Sequence, residues 1–142
     1  MEGSVFVFAG PLIATPGTVN EGQSFGDAPP ILPSLVINEF LADPDASVAL
    51  GDANGDEVRS ATQDEFIEIV NTGDSDVDLS GMTISDGVSV KHVFAAETTL
   101  AAGAAIVVFG GGTPTGDFGG AQVVTASSGG LGLNNGGDTI TL

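Results

Sequence analysis

LVINEFLADPD (residues 35–45), GDANGD (51–56), DEFIEIVNTG (64–73) and VDLSGMTISDG (77–87) follow one another in this chain. Three of the four couple a short apolar, β-branched run to a turn dense in Asp, Asn and Gly, and GDANGD is such a turn by itself; this is the pattern of strands and not of helices. Residues 35–41 alternate, setting Val36, Asn38 and Phe40 against Leu35, Ile37, Glu39 and Leu41. Residues 65–70 alternate too, with Phe66, Ile67, Ile69 and Val70 around Glu68. Further strands are expected at 77–79, 82–85, 91–94, 105–109, 122–125 and 138–142, with turns at 71–73, 86–87, 110–114 and 134–137 at the intervals of a β-sandwich. The 22 glycines and 7 prolines interrupt the chain too often for any helix beyond a turn or two.

The same segments, continued by HVFAAETTLAAGAAIVVFGGG (92–112) and LGLNNGGDTITL (131–142), resemble a lamin tail domain. No one segment is diagnostic; their order is. The resemblance covers about three quarters of the chain and implies an immunoglobulin-like β-sandwich, thus an all-β fold. It also implies a module that is usually non-catalytic, found in nuclear lamins and in secreted or surface proteins of bacteria and archaea.

Length and composition agree. A chain of 142 residues makes one domain with some residues left for an arm, and 42% apolar residues suffice for a core. With 19 acidic residues against two basic ones, the formal charge of -17 repels phosphate backbones and anionic lipid surfaces. Nucleic acid and membrane surfaces are therefore not expected partners. There is no cysteine, hence no disulfide frame and no thiolate metal site. No apolar run reaches the roughly 18 residues that span a bilayer. Residues 5–14 have the length of a signal-peptide core, but Glu2 and Pro11 argue against that reading. Trypsin-like proteases find only Arg59 and Lys91, which suits exposed, long-lived extracellular or cell-surface material and equally an acidic or saline habitat.

The chain divides by composition into residues 1–34, an arm and linker with one β-prone run, and residues 35–142, the sandwich domain. In the arm, SVFVFA (4–9) is apolar on both faces, Val5 and Val7 on one and Phe6 and Phe8 on the other, as in a strand buried on both sides. A Pro- and Gly-containing tether follows it. In the relatives this sequence resembles, the stretch like LNNGGDTITL is followed by a further strand, whereas here Leu142 is the last residue, so an open sheet edge or groove is expected. Lysine, the usual guard of such edges, occurs once. The arm can fill the edge in its own domain or in a neighbouring copy, as in donor-strand complementation. Alternatively, the filling strand lies beyond residue 142. Head-to-tail donation need not close, so it produces filaments.

GDANGD is the sharpest local signal. Calcium takes about six to eight oxygen ligands, and Asp-x-Asn-x-Asp presents alternate side-chain oxygens around a tight turn. Asp52, Asn54 and Asp56 are expected to ligate Ca²⁺, with Asp43, Asp64 or Glu65 closing the set. An EF-hand is excluded, because Glu57 stands where its glycine belongs and Gln63 where its bidentate glutamate belongs. The competing reading is a solvated loop whose Asp and Asn side chains cap turns.

Nothing in the sequence assembles a catalytic set. His92 is the one histidine, the serines lie in no nucleophile elbow, and GGGTPTG (110–116) lacks the Gly-Lys-Ser/Thr of a phosphate loop and reads as a hairpin connection. Without Trp or Tyr the usual sugar-stacking platform is missing. The sequence thus points to a non-enzymatic, self-assembling extracellular subunit. The alternative is an accessory or anchoring module of a larger secreted protein, for example beside a nuclease or phosphatase domain.

Overall fold

FIEIVN, strand β2 (Phe66–Asn71), buries every second residue completely: Ile67, Ile69 and Asn71 are inaccessible, while Phe66, Glu68 and Val70 are partly exposed. This period-two pattern fixes one face of a sheet as the core face. The computed structural model describes residues 34–142. The expected arm strand, with Val5, Phe6, Val7 and Phe8, lies outside the described residues.

Around β2 the chain forms a four-stranded sheet with β1 (Leu35–Leu41), β7 (Ala105–Phe109) and β8 (Gln122–Thr125), in the order β1-β2-β7-β8. Two short antiparallel ladders complete the β structure. One pairs β3 (Val77–Asp78) with β6 (Thr99–Leu100), and the other pairs β4 (Thr83–Ser85) with β5 (Val90–Val93). Among the described residues helix is confined to α1 (Val48–Gly51) and a 3₁₀ turn at Phe118–Gly120. The fold is all-β and immunoglobulin-like.

The core joins the sheet to the ladders. Ile67, Ile69, Ile106 and Val108 come from the sheet, Leu79, Ile84, Phe94 and Leu100 from the ladders and their flanks, and Leu131 and Leu133 from the C-terminal segment. Strand β7 is central, flanked by β2 and β8, and Ile106 to Phe109 are all buried, because Phe66 and Phe118 cover Phe109 on the face away from the core.

Three expectations are corrected and one strand is added. Strict alternation in β1 fails: a register shift between Ile37 and Glu39 leaves Asn38 unpaired, so Phe40 stands opposite Ile67 on the face of Leu35 and Ile37, while Glu39 and Leu41 turn to the other. Residues 110–116 are not a hairpin connection, since β7 and β8 run parallel and the segment is part of a crossover. The strand expected at 138–142 is reduced to one bridge between Ser85 and Thr141, because among the described residues no partner strand lies along it. Strand β6 was not anticipated; a two-residue ladder is too short to show a period.

Candidate functional site

Residues 52–64 close on themselves through carboxylates that accept backbone amides. Asp52 Oδ1 and Asn54 Oδ1 both accept from the amide of Asp56, at 3.2 and 3.0 Å, and Asp52 Oδ2 accepts from Glu57 at 2.9 Å. Asp64, fully buried, accepts from Asn54 at 3.1 Å and Ser60 at 2.6 Å. Glu57 adopts φ 68°, the left-handed conformation that a glycine would take at low cost, so the loop makes a sharp turn despite the side chain.

The crossover between β7 and β8 clamps this loop. Buried Asn54 donates its side-chain amide to Gly111 O at 3.2 Å, the Thr113 amide donates to Asp56 Oδ2 at 3.0 Å, and the Thr115 amide donates to Asn54 O at 3.0 Å. The Thr113 amide holds the Asp56 carboxyl below its usual range. A Cβ on Gly112, which has φ 77°, would collide with Asn54 Nδ2 and Asp56 Oδ2. Only glycine permits this approach.

The six residues that the sequence grouped for calcium separate into two sets. Asp52, Asn54, Asp56 and Asp64 belong to the clamped loop. Asp43 accepts from the Asn135 side chain at 2.8 Å, and Glu65, 3% exposed, accepts from the Leu133 amide at 3.2 Å, so both face the C-terminal segment. Burial raises the Glu65 pKa, against the opposing effect of the Leu133 and Gly132 amides and the charge of Lys91. Among the described residues no three His, Cys, Asp or Glu side chains form a group that could hold a metal ion.

Both basic residues are engaged. Lys91 pairs with Asp86 at 2.9 Å, and Arg59 donates to the carbonyls of Pro44 and Asp45, each at 2.6 Å. His92 is 5% exposed, stacks edge-on against Phe94 and accepts the Ser127 amide on Nδ1 at 3.3 Å. An amide can only donate, so the ring proton sits on Nε2, which is buried without a hydrogen-bond partner among the described residues. The ring is packed as a core side chain.

The second candidate is the β1 edge. Strand β1 pairs with β2 on one side and with no described strand on the other. Beside it opens a groove of about 430 Å³, lined chiefly by Ile37, Phe40, Ala42, Leu133 and Ile140, with Asp138 at its rim. Phe40 is 58% exposed there. Sequence reading gave no sign of the exposure of Phe40, because the bulge that turns this ring into the groove leaves no periodic signal.

Among the described residues no helix is long and apolar enough to cross a membrane. A family model described as Lamin Tail Domain matches residues 30–142. No curated protein and no solved structure matches the chain.

Proposed function

This chain belongs to the lamin tail domain family, and from that premise we propose that it is a non-enzymatic, extracellular structural subunit that assembles with copies of itself into a filament or surface layer. The assembling element is the apolar arm, Val5 to Phe8, donated as a strand to a neighbouring domain. The observation that carries this reading is the β1 edge, which pairs with no described strand on its outer side and has a large aromatic side chain left in water beside it. The edge holds no lysine or proline; a bulge at Asn38 and exposed Glu39 guard it in part, and its apolar core face favours an added strand.

Burying each Val or Phe of the arm contributes roughly 1.5 to 3 kcal/mol, and fixing each backbone residue costs about 1 to 2 kcal/mol. The two nearly cancel, so the margin per interface rests on the ladder hydrogen bonds between arm and edge. The reading includes calcium at the acidic loop, resting now on Asp52, Asn54 and Asp56. Two of their oxygens, Asp52 Oδ1 and Asn54 Oδ1, converge on the Asp56 amide, an arrangement that serves the turn-capping alternative equally.

Negative-stain imaging of the intact chain and of a chain lacking residues 1–11 tests the assembly. Polymers are expected from the first and not from the second. An intact chain that stays monomeric at every concentration overturns the reading and leaves that of an accessory module.

A further inference from the structure

We infer that the groove between β1 and residues 133–140 is the acceptor for residues 4–9 of a second copy of this chain. The inference rests on the self-assembly reading and adds to it the receiving surface.

The fit is made on the core face. Residues opposite one another across an antiparallel ladder point to the same face. The register therefore puts Ile37 and Phe40 on the core face of β1 with Ile69 and Ile67, and Val36 and Leu41 on the other face with Val70 and Phe66. The core face of the edge is thus apolar, whereas on the other face Glu39, opposite Glu68, stands between Val36 and Leu41. SVFVFA presents apolar side chains on both, two phenylalanines to one and two valines to the other.

The groove is also bounded in the way a strand slot should be. Its far wall is the C-terminal segment, whose Leu133 and Ile140 face Ile37 and Phe40 across it. That segment is anchored by the Ser85–Thr141 bridge and by the Glu65 and Asp43 hydrogen bonds to residues 133 and 135. The wall therefore stays in place while the slot is open. At about 430 Å³ the space admits side chains of an entering strand and not a folded partner. Asp138 lines the slot on its wall. Its carboxylate disfavours an acidic partner segment, and SVFVFA carries no charge. Between Ala9 and β1 the chain has 25 residues, which extended reach roughly 80 Å, enough to span from one domain to the next.

The test uses full-length chains in pairs. Phe6→Asp disables the donor and leaves the groove intact; Phe40→Asp disables the groove and leaves the donor intact. Phe40 is already mostly exposed, so its replacement leaves the core untouched. Each variant alone is expected to lose polymers, and an equimolar mixture to give a dimer and nothing longer, since one working interface is available. A mixture that stays monomeric overturns the inference, as does a Phe40→Asp chain that polymerises like the wild type. In the latter case self-assembly stands and only the groove assignment fails; if the wild type itself never polymerises, both fail. Hydrogen exchange on wild-type polymers against Phe6→Asp monomers gives a readout independent of any groove substitution. Slowed exchange along residues 36–42 supports the inference, and slowing confined to β8 overturns it.

Discussion

The ammonium of Lys91 lies 2.9 Å from Oδ2 of Asp86, with 18% and 7% of the two side chains exposed. The pair spans the β4–β5 turn, and Asp86 Oδ1 also accepts the amides of Val88 and Ser89 at 2.8 and 2.7 Å. The lysine and then these amides lower the Asp86 pKa from 3.8 to about 2. A carboxyl with a depressed folded pKa stabilises the native state above its unfolded value and loses that contribution as pH falls through the folded one. The Asp86 contribution should therefore be complete above pH 3.8 and disappear towards pH 2. Asp86→Asn should lower the melting temperature at pH 6 and make no difference near pH 2; a constant deficit at both would refute the assignment.

Glu65 has the opposite sign. Burial raises its pKa above 4.5, so it favours folding most when protonated, and that contribution is lost as pH rises through the folded value. Glu65→Gln keeps an acceptor for the Leu133 amide and removes the buried charge. Urea midpoints of the variant relative to wild type are expected to be higher at pH 7 than at pH 4.

His92 is held neutral by burial, which depresses its pKa below 6.5. Between 6.5 and that lower value the unfolded chain binds a proton that the folded chain does not, so stability falls as pH drops below 6.5. His92→Gln should remove this slope. Denaturation at pH 7.5 and 5.5 measures it.

Asn71 ties three elements together from a fully buried position. Its Nδ2 donates to the carbonyls of Ser75, Leu100 and Ala101 at 2.8, 3.0 and 3.1 Å, and its Oδ1 accepts from Gly73 at 3.0 Å. Asn71→Leu strands buried carbonyls, each costing about 1 to 3 kcal/mol. Ile69→Ala, by contrast, empties core volume only, with an expected loss of about 2 to 5 kcal/mol. If the asparagine substitution proves as mild as a surface change, the hub has been misread.

The acidic loop separates two causes of order. If calcium binds at Asp52, Asn54 and Asp56, chelation lowers the melting temperature and Asp52→Ala abolishes the response, because a ligand of the native state stabilises it by mass action. Identical melting curves in chelator and in millimolar calcium would sink the calcium reading. Gly112→Ala should destabilise the loop either way, since the added carbon meets Asn54 and Asp56.

The sequence by itself determined the all-β class, the family and the positions of most strands, since β-branched runs between Gly, Asn and Asp turns are local features. The run Phe66, Ile67, Ile69 and Val70 around Glu68 marked a strand, and the structure chose Ile67 and Ile69 for the core. The sequence also exposed the conflict at the acidic loop, with too many carboxylates for so few cations. Only the tertiary structure decided how that conflict is met, with Asp52 and Asp64 spent on backbone amides and Asp43 and Glu65 drawn to the C-terminal segment. It alone set β7 and β8 parallel and turned Phe40 into the groove, because strand direction and a one-residue bulge depend on partners distant in sequence, and periodicity within one segment carries no record of them.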